Sequence, residues 1–155
     1  MKTLNSLIKY VLVVMLAVMF ILTTVQVILR YGFNTALSWS EELVRFLFVW
    51  ATFLGAAIGV REHIHIGVDA VVNLLPASLR RYADTLVYLV IFTFGIVLVC
   101  AGIPVVTLTH GQLSPALEMP MSYVYIAIPI AGVFAMLYAL AEVVLIWKKR
   151  KAGEG

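Results

Sequence analysis

Runs of apolar residues set the frame of this chain. Four stretches are long enough to cross a membrane: residues 10–29, 43–60, 85–108 and 121–147. A span needs about 20 apolar residues, because about 30 Å of hydrocarbon is crossed at 1.5 Å per helical residue. The last two stretches exceed that length, which predicts tilt or extension beyond the hydrocarbon. Between the second and third, the pattern changes. If residues 64–75 are helical, Ile64, Val68, Val71 and Leu75 share one face while His65, Asp69 and Asn73 share another, which predicts a short amphipathic helix lying on a membrane surface. Pro76 then ends that helix or starts the next.

Composition agrees with the pattern. Of the 155 residues, 63% are hydrophobic and 12% charged, and mean hydropathy is +1.05, far from the balance of a water-soluble domain. The chain is therefore expected to be an all-α integral membrane protein, a single membrane domain of four transmembrane helices. The first stretch follows Lys2 and Lys9 as a secretory signal would, but it is about twice the length of a signal core and no small-x-small cleavage site closes it. It is expected to remain as an anchor. Cys100 is the single cysteine and lies inside an apolar stretch, so no intramolecular disulfide can form.

Charge orients the spans. Nine of the eleven Lys and Arg residues fall on one side: Lys2, Lys9, Arg61, Arg80, Arg81 and the four from Lys148 to Lys151. Arg30 and Arg45 alone fall on the other. Both termini are then expected in the cytoplasm. The basic residues flank apolar segments and do not form a patch with interleaved aromatics, so they read as topology signals and no nucleic-acid partner is expected.

The stretch "REHIHIGVD", residues 61–69, carries two of the three histidines. A His-x-His pair with Asp69 as third ligand is a candidate metal site. Against it, no Cys or further His is close in sequence, and the segment sits where span two meets the inner surface. There His65 and Asp69 can bond each other one turn apart, or Asp69 can cap the helix that follows. Haem is disfavoured, because His110 is separated from His63 and His65 by a membrane thickness of about 30 Å. No metal or other cofactor is expected.

Transport by the chain alone needs polar groups near the bilayer midplane. The mid-span polar residues are Thr23, Thr24, Gln26, Thr52 and Thr93, with Pro104 and Pro129 as candidate kinks. None is ionisable. No nucleophile, base and orienting acid converge on one predicted face, so an enzyme is not expected either. What the spans do carry is packing chemistry: Ala51, Gly55 and Gly59 in span two, and Ala127, Ala131, Ala135 and Ala139 in span four, recur every four residues. Such stripes let helix backbones approach closely, either within this chain or against another. Gln26 and Arg30 belong to a polar stripe on span one; Arg30 can snorkel, but Gln26 calls for a protein partner.

The densest chemistry is "SWSEELVRFLFVW", residues 38–50. Ser38 and Glu41 have capping-box spacing, and Glu41 and Glu42 suit the first helical turn. Arg45 follows them by four and three residues, so either carboxylate is expected to neutralise it. Trp39 would anchor at the outer interface. The cluster is either a well-capped span entrance or a docking site.

These residues carry a resemblance. "RYGFNTALSWSEELVRFLFVWATFLGAAIGVREHIHIGVD", a Pro-Arg-Arg region after it, and later "LSPALEMPMSYVY" resemble the small membrane subunit of tripartite ATP-independent periplasmic (TRAP) transporters, the DctQ-like family. The resemblance covers about residues 30–125 and extends to the four-span layout. It implies a bacterial inner-membrane protein that braces a large multispan membrane subunit, the carrier of the substrate and sodium path. It also implies a periplasmic binding protein as transient partner, and sodium-driven uptake of an organic acid such as a sialic acid, a C4-dicarboxylate or a sugar acid. Carried over residue by residue, it implies an outer-side structural or interface cluster at Trp39, Glu42 and Arg45 and an inner-side one at Arg61, His65 and Asp69. The loop with Ser114, Pro115 and Pro120 would face the binding protein, and membrane lipids would surround the whole. Two other readings stay open: a homo-oligomeric four-span transporter, and a membrane anchor for a redox enzyme.

Overall fold

The computed structural model describes residues 2–62 and 76–153. Five helices follow one another: α1 Lys2–Gly32, α2 Ser38–Arg61, α3 Ala77–Thr109, the short α4 Ser122–Tyr125 and α5 Ala127–Gly153. Four segments are long and apolar enough to cross a membrane, Asn5–Gly32, Ser38–Arg61, Tyr82–Thr109 and Ser122–Lys148, and each contains or nearly contains an apolar run read from the sequence. Among the described residues there is no strand, only one isolated antiparallel bridge between Leu113 and Pro120. The amphipathic helix expected over 64–75 lies outside the described residues.

Two of the helix boundaries have plain causes. Pro76 is extended (φ −54°, ψ 147°) and its carbonyl accepts the N–H groups of Leu79 and Arg80, so it starts α3 as a residue with a fixed φ and no N–H can. The fourth span, expected as one piece from 121, is divided near Ile126. Pro129 cannot donate to the carbonyl of Tyr125, four residues back, and its ring crowds that carbonyl; the regular ladder therefore begins at Ala127. Pro104, by contrast, sits within α3, which continues through it.

The spans form an open row. α1 packs on α2, α2 on α5, and α5 on α3, while α4 touches α2, α3 and α5. A row buries less than a ring. No residue in the most apolar window of α1 is buried, and the buried share of such a window reaches only 33% in the last span. The core lies along α5: Tyr138 and Ala139 are buried with Val60 and Tyr88, flanked by Ile91, Phe92, Phe134, Val143 and Ile146. Phe134 and Tyr138 stack with ring centroids 6.4 Å apart. A second cluster joins Ile8 of α1 to Leu54 and Ile58 of α2.

Small residues decide how close α3 and α5 come. Ala127, Ala131, Ala135 and Ala139 are all buried, so that stripe packs inside the chain. At the crossing, a Cβ on Gly132 would lie 2.8 Å from the Gly95 carbonyl oxygen, and one on Gly102 would lie 2.8 Å from Cδ of Pro129. Gly55 and Gly59 differ: a Cβ there meets nothing within 4 Å. We therefore expect Gly132→Ala to destabilise the detergent-solubilised chain by about 1–3 kcal/mol, the usual cost of overpacking, and Gly55→Ala to be near neutral. Equal thermal unfolding temperatures for the two variants would contradict the close crossing.

Candidate functional site

The end of the bundle where α2 begins is built around Glu42. It stands in the first turns of α2, is 3% exposed, and reaches away from its own helix: Oε2 accepts the backbone N–H of Ala116 at 2.9 Å and of Leu117 at 2.7 Å. A carboxylate receiving two N–H bonds is a strong acceptor in a partly dry site. It fastens the turn between α3 and α4, which is also closed on itself. Ser114 N–H donates to the Met119 carbonyl, Met121 N–H to that of Gln112, and Met119 N–H to the Ser114 hydroxyl. Glu118 adopts φ 53°, a left-handed conformation that a non-glycine residue holds only when its surroundings fix it. His110 Nδ1 lies 3.1 Å from the Ser122 hydroxyl, joining the end of α3 to α4. Trp50 of α2 donates its indole N–H to the Tyr123 carbonyl at 3.0 Å.

The pairing expected from spacing alone is not the one formed. Glu41 meets Arg30 at 3.8 Å, with both side chains at least half exposed, a contact of little energetic weight. Glu42 is engaged by the loop, and among the described residues Arg45 makes no ion pair. The capping box is absent too. Leu37 precedes the helix and offers no side-chain cap, because Ser38 is already helical, whereas the box needs its Ser in the flanking position. The hydroxyl that matters is two residues on. Ser40, 1% exposed, donates to the Leu37 carbonyl at 2.8 Å and accepts from the Gln26 amide at 2.9 Å. Gln26 thus finds its protein partner inside the chain. Trp39 is exposed, Ser114 is buried, Pro115 is exposed on the loop, and Pro120 forms the bridge to Leu113.

The opposite end, where α2 finishes, holds a second charged cluster. Arg61, the last residue of α2, forms an ion pair with Glu142 of α5, whose side chain is only 7% exposed. Next to it, Glu62 takes Lys9 Nζ and the Asn5 amide, each at 2.8 Å. The Lys9 bond, and after it the Asn5 bond, hold the Glu62 carboxyl below its usual range. The two contacts tie α1 to α2 and α2 to α5. His65 and Asp69 lie outside the described residues. Ser40 and Glu142 were missed in the sequence. Glu142 carried a signal, as a lone carboxylate in an apolar run, whereas Ser40 could not be told from Ser38 without the helix start.

Within the described residues no group of three His, Cys, Asp or Glu side chains could hold a metal. Among the described residues the geometry consists of fasteners between helices, with Gly55 and the exposed apolar faces left open.

Comparison with known proteins gives the family. The signature of the tripartite ATP-independent periplasmic transporters, DctQ component, matches residues 19–149. A TRAP transporter small permease protein of Haemophilus influenzae is 30% identical over 145 residues, 90% of this chain and 87% of that one. The C4-dicarboxylate TRAP transporter small permease protein DctQ of Rhodobacter capsulatus is 42% identical over 99 residues, 62% of this chain and 43% of that one. The sialic acid TRAP transporter permease protein SiaT of Haemophilus influenzae is 25% identical over 152 residues, 98% of this chain but only 25% of that protein. Four membrane-crossing helices, fastened at both ends and carrying a signature over most of their length, place this chain in the DctQ component family of TRAP transporters, a family of transporter subunits and not of enzymes.

Proposed function

We propose that this chain is the small, bracing membrane subunit of a TRAP transporter, with both termini in the cytoplasm and the 110–121 loop in the periplasm. It holds a large membrane subunit in place while that subunit moves an organic acid with sodium, and its loop helps receive a soluble binding protein. The observation that carries this reading is the open row of spans. α1 is largely apolar, yet among the described residues its main packing is on α2, and Gly55 offers a backbone approach that none of them uses. A helix row of this kind gains its burial from a neighbour. The relatives' names include C4-dicarboxylate, sialic acid and isethionate systems. The substrate class is accordingly an organic acid, chosen by the partners.

The test is co-expression with a large TRAP membrane subunit followed by capture on this chain. A stable complex is expected, with binding-protein-dependent, sodium-driven uptake only when both membrane subunits are reconstituted. Gly55→Leu is expected to lower complex yield several-fold, since a bulky side chain blocks a close helix approach. Uptake by this chain with the binding protein alone would overturn the proposal.

A further inference from the structure

A groove of about 270 Å³ runs down the outer end of the molecule, lined by Glu42, Arg45, Pro115, Val49, Val124 and Tyr125 among others. Glu42 and Arg45 lie in the first two turns of α2, where Glu42 holds the loop after Pro115, and Val49, one turn further along α2 and near the level of the Trp50–Tyr123 bond, adds apolar lining with Phe46 and Val124. Arg45 is exposed, and the two carboxylates nearest in sequence are engaged elsewhere, Glu41 with Arg30 and Glu42 with the Ala116 and Leu117 amides. Arginine side chains on a helix point back toward its N-terminus, here toward the outer interface. A guanidinium at that level, at the edge of the hydrocarbon, needs an anionic oxygen partner, and its planar fork suits a phosphodiester.

We propose that this groove is a binding site for one outer-leaflet phospholipid, its phosphate on Arg45 and one acyl chain along Phe46, Val49 and Val124. Charged-to-apolar order along α2 is the order of a lipid molecule. A single acidic side chain from a neighbouring helix is the competing occupant. Glu42 faces the same groove, so the lip has no net charge, and a zwitterionic phosphodiester headgroup fits as well as an anionic one.

The site belongs to this chain and rests on the proposed orientation but not on transport, so it is tested on the full-length chain without other subunits. The chain is purified in detergent, delipidated and titrated with phosphatidylethanolamine, with phosphatidylglycerol, and with a phosphate-free diacyl glycolipid, and bound lipid is counted by native mass spectrometry. One phospholipid is expected to be retained, the glycolipid about tenfold more weakly, a charged hydrogen bond being worth that factor or more. Arg45→Ala is expected to lose the same factor for the phospholipids and none for the glycolipid, with Arg45→Lys intermediate and an unchanged circular dichroism spectrum showing that the variants are folded. Equal retention of phospholipid and glycolipid, or equal retention by wild type and Arg45→Ala, would overturn the site. So would a variant that keeps its lipid but fails to capture a large membrane subunit, which would assign Arg45 to a partner's acidic side chain.

Discussion

Glu42→Ala is expected to lower the unfolding free energy of the detergent-solubilised chain by about 2 kcal/mol, with Glu42→Gln losing roughly half of that. The substitution removes the acceptor of two backbone N–H groups, at 2.9 and 2.7 Å. A hydrogen bond to a charged group contributes about 1.5–3 kcal/mol, and part of the loss is recovered when the exposed Ala116 amide finds water. The glutamine keeps one acceptor oxygen but not the charge. Because Glu42 fastens the turn from 114 to 119, the loss should be local before it is global. Protease added to detergent-solubilised protein should cut the loop faster in Glu42→Ala, with the helices still intact. The control is Glu41→Ala, which removes only the 3.8 Å exposed contact with Arg30 and should cost well under 1 kcal/mol. Identical cleavage and unfolding for the two variants would show that the loop does not depend on Glu42.

The larger effect is expected at the end of the bundle where Arg61 meets Glu142. Arg61→Ala removes the cation facing Glu142, whose carboxylate is almost wholly buried while the Arg61 side chain keeps 28% of its exposure. Losing one partner of a buried pair typically costs 3–5 kcal/mol, and the partial exposure of Arg61 argues for the lower figure, about 3 kcal/mol. The double replacement Arg61→Leu with Glu142→Leu should recover most of this, because no charge is then left in the interior. A double-mutant cycle read by denaturant unfolding in detergent checks both statements. A coupling energy near zero would mean that the two charges do not depend on each other. The expected consequence for the fold is separation of α2 from α5 at one end, since Arg61 and Glu142 join the last turn of α2 to the middle of α5.

The spans were legible because the bilayer imposes a length on any apolar run that crosses it, and four runs of this chain meet it. The resemblance read from residues 30–125 was legible for a different reason, as a combination of Trp39, Glu41, Glu42, Arg45, Trp50 and Gly55 at fixed spacing. Pairings within that combination were not. Arg45 has suitable neighbours at three and four residues, yet Glu42 turns instead to amides 74 and 75 residues away. Helical periodicity says which side chains share a face and not which loop will arrive over it. The glycines make the same point. Gly55 and Gly59 have the four-residue spacing that marks a close-packing stripe, yet a Cβ on either would touch none of the described residues, although Gly59 itself is buried. Gly95, Gly102 and Gly132 carry the close crossing, and the first two, seven residues apart on one face of α3, were the signal passed over.

The sequence by itself determined that this chain crosses the membrane four times, that its charges are concentrated on one side, and which family its motifs resemble. Each follows from local chemistry: the transfer of apolar side chains, the placement of Lys and Arg, and residues at fixed separations. Only the tertiary structure decided that the spans stand in an open row, that Glu42 clasps the 114–119 loop, that Arg61 finds Glu142 and that Arg45 is left to line a groove. These depend on which helix lies beside which, and in an apolar medium that choice rests on close fit and on a few polar contacts between residues far apart in the chain.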